Sequence, residues 1–128
     1  MRRALVIDDE ATARDAVALM LRSEGWHVVV AEGGYAGIDA IAAFAFDLVI
    51  VDIFMPGLNG VETIKILRQD APDLPVIVMS GHVAGPEGFD VLAGARQAGA
   101  TRFLPKPILR QELLAAAAAC SMPAELVA

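Results

Sequence analysis

Four short runs of aliphatic residues, none broken by a polar position, constrain this chain most. They are Leu5-Val6-Ile7, Val28-Val29-Val30, Leu48-Val49-Ile50-Val51 and Val76-Ile77-Val78-Met79. A strand with one wet face alternates apolar and polar residues, so unbroken runs of this length mark strands covered on both sides. A weaker fifth run surrounds Arg102-Phe103-Leu104. The segments between the runs carry helical spacing. Ala13, Val17, Met20 and Leu21 lie in the first, stopped by Gly25. Ile38, Ile41 and Ala42 mark the second, and Val61, Ile64 and Leu67 the third, closed by Pro72 and Pro75. A fourth helix precedes Gly99. A fifth covers Leu109 to about Cys120, where five alanines favour helix, and Pro123 ends it.

Five strands alternating with five helices predict an α/β domain with a central five-stranded parallel sheet covered on both faces. Right-handed crossovers leave few topologies, and the flavodoxin-like (βα)5 order 2-1-3-4-5 is the leading one. At 128 residues the chain suits one such domain, 1–128. A hydrophobic fraction of 56% with 20% charged residues reads as globular. The formal net charge of −6 argues against direct contact with a nucleic-acid backbone, which needs a basic surface. Cys120 is the only cysteine, which rules out an internal disulfide and argues against a thiolate zinc site. The apolar run after Met1-Arg2-Arg3 is too short for a secretory leader and stops at Asp8-Asp9-Glu10. No apolar run approaches membrane-spanning length, so the expected location is cytoplasmic, with no membrane partner.

The polar residues at the ends of the runs are more informative. The first run ends in Asp8-Asp9, the third in Asp52, the fourth in Ser80 and the fifth in Lys106. In a parallel sheet all strand C-termini lie along one edge, where open α/β sheets bind ligands. Taken singly, these residues are ordinary: Asp and Ser suit turns and helix caps, and a lone lysine is usually solvated. The coincidence at four of five strand ends predicts that three carboxylates, a hydroxyl and an ammonium share one crevice. Clustered carboxylates repel one another unless a cation neutralises them. An all-oxygen set without histidine or cysteine favours a hard ion, Mg2+.

These pieces resemble the receiver domain of two-component response regulators. The resemblance is carried by Val6-Ile7-Asp8-Asp9-Glu10, by Asp52-Ile53-Phe54-Met55-Pro56-Gly57-Leu58-Asn59-Gly60, and by Val78-Met79-Ser80-Gly81. Ala98-Gly99-Ala100 and Phe103-Leu104-Pro105-Lys106-Pro107 complete it. It implies that Asp52 is the phosphoacceptor, taking its group from a phosphohistidine on a histidine kinase or a histidine phosphotransfer domain. Asp9, Asp52 and the backbone carbonyl of Phe54 would hold Mg2+ directly, and Asp8 through water. Lys106 would pair with the phosphoryl oxygens. Ser80 would bond one of them and draw its loop inward, while Phe103 turns into the vacated space and alters the surface offered to a downstream protein. The Lys106-Pro107 bond would be cis. Phe54 and His82 occupy positions that border the phosphoryl group and tune its hydrolysis, though an ordinary loop role explains His82 as well.

The stretch from Ser80 to Lys106 is a few residues longer than the family usually has, with the surplus in Gly81 to Gly88. Together with Gly94, which costs a helix about 1 kcal/mol relative to alanine, this predicts a short or mobile fourth helix and puts family-type dimerisation there in doubt. The chain ends soon after the fifth helix without an output domain, as expected for a stand-alone regulator or a piece of a longer one. Two other functions compete. A receiver-like interaction module without phosphorylation would usually lack one of the key acidic residues or the lysine, and all are present. A hydrolase with an aspartyl-phosphate intermediate would carry an acid/base carboxylate two residues after its nucleophile, where this chain has Phe54.

Overall fold

The computed structural model describes residues 2–81 and 85–120 and bears out the expected alternation. Its strands are β1 (Arg3–Ile7), β2 (His27–Ala31), β3 (Leu48–Asp52), β4 (Val76–Ser80) and β5 (Arg102–Pro105). The helices are α1 (Ala11–Arg22), α2 (Gly34–Ala43), α3 (Gly60–Asp70), α4 (Gly85–Ala98) and α5 (Arg110–Cys120). All strand pairings are parallel, in the order β2-β1-β3-β4-β5. Among the described residues no helix is long and apolar enough to cross a membrane.

The unbroken apolar runs of β1, β3 and β4 are explained by two cores, one on each face of the sheet. The run in β2 is not covered throughout, because β2 lies at the sheet edge and its Val30 is 40% exposed. Because side chains alternate along a strand, Ala4, Val6, Leu48, Ile50, Ile77 and Met79 face α1 and α5, where they meet Val17, Leu21, Leu113 and Ala117. Their neighbours Leu5, Ile7, Val49, Val51, Val76 and Val78 face the other way, onto Ile64 and Leu67 of α3 and Ala95 of α4. Cys120 packs half-buried at the margin of the first core, and burial pushes its thiol pKa up, with Arg102 pulling the other way.

The expectation of a short fourth helix is corrected: α4 runs for 14 residues. Packing explains the difference, since a helix in a protein is held mainly by its buried face and not by propensity. Ala95 is fully buried, with Val91, Leu92 and Ala98 packed beside it on the second core. Gly94 costs some helix stability, but the buried stripe continues past it.

Register fixes what lies on the upper edge. Ile7 of β1 pairs with Val51 of β3, Asp52 with Met79 of β4, and Ser80 with Pro105 of β5. The strands thus end level with one another, and the residues just beyond them emerge side by side.

Candidate functional site

Asp8 leaves β1 completely buried and is held from several directions. Its backbone N–H donates to the Ala31 carbonyl (3.1 Å). Its carbonyl accepts from Arg14 Nη1 (3.1 Å), and its Oδ1 accepts from the Glu10 N–H (3.0 Å). Asp52 ends β3 only 5% exposed, and its Oδ1 accepts from the Phe54 N–H (3.2 Å). The second oxygens of both carboxylates meet one cation. Lys106 Nζ lies 2.9 Å from Asp8 Oδ2 and 3.1 Å from Asp52 Oδ2. Asp9 stands beside them, exposed to solvent, and carboxylate oxygens of Asp8, Asp9 and Asp52 all fall within 4.8 Å of one another.

Backbone geometry keeps the lysine in place. The Lys106 N–H donates to the Ser80 carbonyl (2.7 Å), which ties the end of β5 to the end of β4, and the Lys106-Pro107 bond is cis. Ser80 is buried at the same edge. Phe103 lies two residues before the edge, half-buried against the second core. Phe54 is 48% exposed, its backbone engaged with Asp52 while its side chain remains open to solvent. His82 lies outside the described residues.

The loop after Asp52 is shaped by three residues. Gly57 adopts a φ of 75°, a left-handed conformation that suits glycine. Asn59 Oδ1 accepts from the Glu62 N–H (2.9 Å) and Glu62 Oε1 from the Asn59 N–H (3.3 Å), a reciprocal cap that starts α3. Gly60 sits where a Cβ would fall 2.6 Å from both the Asp52 carbonyl oxygen and the Ile53 Cα. Those are backbone atoms and cannot step aside. Gly60→Ala is therefore expected to destabilise the fold by about 1–3 kcal/mol and to displace Asp52, which chemical denaturation and the backbone amide shifts of Asp52 and Ile53 would register. Unchanged stability and shifts would contradict this close approach.

The electrostatics stem from burial. Burial raises the Asp52 carboxyl above the usual carboxylate range. The bond and charge of Lys106 pull it down, the charge of Asp8 pushes it further up, and the Phe54 N–H lowers it, leaving a net rise. Burial acts to lower the Lys106 ammonium, but bonds and charges from Asp8 and Asp52 outweigh it, so lysine stays charged beyond its ordinary range. Three carboxylates against one ammonium leave the cluster with a net negative charge. That donor set, with oxygens only and one exposed member, fits a hard divalent cation.

Sequence reasoning placed Asp8, Asp9, Asp52, Ser80 and Lys106 together, and the fold does gather them along one edge. It did not identify Arg14, whose guanidinium braces the Asp8 carbonyl from the first turn of α1. The available signal was a basic residue one helical turn into the segment after the acidic pair.

Comparisons with known proteins agree with this geometry. The chain is 37% identical over 113 residues to response regulator MprA of Mycolicibacterium vanbaalenii, covering 88% of this chain and 47% of that protein. It is 34% identical over 110 residues to transcriptional regulatory protein FixJ of Bradyrhizobium diazoefficiens, covering 86% and 52%. The chain thus spans about half the length of the curated relatives it matches. A receiver domain protein from Clostridium thermocellum superposes with a TM-score of 0.85 at 28% identity, covering 100% of both chains. The family profile of the response regulator receiver domain matches residues 4–118, from β1 into α5. Fold, acidic edge and sequence match agree: the chain belongs to the response regulator receiver domain family.

Proposed function

We propose that this domain relays a signal by accepting a phosphoryl group on Asp52 from a phosphohistidine of a histidine kinase or histidine phosphotransfer domain. The observation that supports this most directly is Lys106 spanning Asp8 and Asp52 at 2.9 and 3.1 Å beside the exposed Asp9. Phosphoryl transfer asks a protein for alignment and charge stabilisation more than for covalent help. Asp52 Oδ2 would attack phosphorus while the phosphorus–nitrogen bond of the donor breaks, its electron pair returning to the imidazole. The Lys106 ammonium, freed from Asp52, then faces the new phosphoryl oxygens. A mobile point charge suits a group that arrives and departs.

Asp9, Asp52 and the Phe54 carbonyl are the groups that would hold Mg2+, with Asp8 behind them. When bound, the ion offsets negative charge between carboxylate and phosphoryl oxygens. Ser80 is buried at the same edge, its carbonyl bonded to the Lys106 N–H, and its hydroxyl would bond a phosphoryl oxygen. Phe103 would follow the Ser80 loop inward, altering the surface between α4 and β5 that a downstream protein reads. Release of the group would be the domain's own slow hydrolysis, with Phe54 bordering the approach of water.

Intact-mass measurement after incubation with a small phosphodonor tests this. One added phosphoryl group is expected with Mg2+ present and none once the ion is chelated. No adduct under either condition favours a receiver-like interaction module without phosphorylation. Sustained turnover of small phosphomonoesters favours a hydrolase.

A further inference from the structure

Arg96 lies in the last turn of α4, exposed, and its guanidinium carbon sits 5.2 Å from the centre of the Phe103 ring. A cation over an aromatic face is attracted by the ring's quadrupole, so this contact favours the ring where it now stands. We infer that Arg96 is a positioning residue that holds Phe103 in its resting orientation and thereby sets how readily the domain switches. The inference rests on the reading of Phe103 as the residue that moves.

The backbone that carries Arg96 is held in place. Directly below it α4 is closed by hydrogen bonds: the Gly99 N–H donates to the Arg96 carbonyl (3.0 Å) and the Ala100 N–H to the Ala95 carbonyl (3.0 Å). Gly99 takes a φ of 116° to turn the chain, a conformation that side chains rarely adopt. Its carbonyl is held in turn by Arg68 Nη2 (2.6 Å) from α3. The Thr101 N–H donates to the Val76 carbonyl (2.8 Å), and Thr101 Oγ1 accepts from the Val76 N–H (3.1 Å). The segment from Ala95 to Thr101 is thus pinned to the lower end of β4, whereas Phe103 lies past the pinned turn. A ring turning inward toward Ser80 leaves the guanidinium behind and loses the attraction. A contact present in only one of two arrangements shifts their equilibrium by its full worth.

The test uses the whole chain labelled with fluorophenylalanine, with Phe103→Leu assigning the Phe103 resonance. It is titrated with beryllofluoride, a phosphoryl stand-in, in the presence of Mg2+. Arg96→Gln is expected to lower the concentration needed for half-conversion by about two- to five-fold. Arg96→Lys, which keeps the cation, is expected to stay closer to the parent. In a Phe103→Leu background Arg96→Gln should change nothing, with binding there followed by the remaining fluorine resonances. An Arg96→Gln midpoint equal to or above the parent's sinks the role of Arg96 alone, as does an equal gain in the Phe103→Leu background. A parent that binds no beryllofluoride, or binds it without moving the Phe103 resonance, brings down the switch reading, and the role of Arg96 falls with it.

Discussion

Asp52→Asn is expected to take up no phosphoryl group from any donor, a fall in adduct formation of about a thousandfold or more, while the metal-free protein becomes more stable. The first part rests on chemistry, since an amide oxygen in place of the carboxylate is a poor nucleophile for phosphorus. The second rests on burial, which raises the folded-state Asp52 pKa above its ordinary value. Between the unfolded and folded pKa values the folded state binds more protons, so stability falls as pH rises through that window. At neutral pH the ionised Asp52 is a net cost that asparagine removes, and below the window both states are protonated and the difference disappears. Thermal melting at neutral and strongly acidic pH, beside intact mass with a phosphodonor, checks both halves. A metal-free variant that melts below the parent at neutral pH would show that the Lys106 contact outweighs burial at this carboxylate.

How much of this was legible before the structure depends on the kind of interaction. The sheet was readable because Leu48-Val49-Ile50-Val51 and its counterparts in β1 and β4 are buried on two faces, as a covered parallel sheet requires, whereas Val28-Val29-Val30 did not reveal that β2 is an edge strand with Val30 open to solvent. The gathering of Asp8, Asp52, Ser80 and Lys106 was readable for a related reason, since parallel strands bring their C-termini to one edge whatever lies between them. Which carboxylates share the lysine was not readable. That depends on side-chain reach and burial: Asp8 is fully enclosed while its neighbour Asp9 is exposed, although the two are chemically identical. The length of α4 was misjudged because the stretch Gly81 to Gly88 and Gly94 speak of local propensity, whereas α4 already begins at Gly85 and Ala95, Val91 and Leu92 packing on the sheet hold it. Close approaches were also invisible. Nothing in Asn59-Gly60-Val61 says that a methyl group at Gly60 would strike the backbone of Asp52 and Ile53.

Lys106→Met is the other substitution expected to have a large effect, and it should act on stability and chemistry together. Lys106 is the counter-charge of two carboxylates whose side chains are 0% and 8% exposed. Removing one partner from a buried ionic cluster costs about 3–5 kcal/mol because the remaining charge is neither solvated nor paired. The parent–variant gap should depend on pH in a definite way. The folded-state pKa of Lys106 is raised, so its contribution is fully present below the unfolded lysine pKa and is lost as pH rises through the folded value. On the acid side Asp52, with its own raised pKa, takes a proton early and sheds the charge that methionine left stranded. The gap is therefore widest near neutrality and closes in both directions. Divalent cation should narrow it further, because an ion bound only by the folded state adds about 2.7 kcal/mol at a hundred times its dissociation constant, and the variant's carboxylates no longer have an ammonium competing for their oxygens. Adduct formation in Mg2+ should still slow by about a hundredfold, since a positive charge facing the phosphoryl oxygens is gone. Urea denaturation across pH, with and without Mg2+, measures the first effect. A variant as stable as the parent at neutral pH without divalent ions would mean that Lys106 does not hold the acidic edge together.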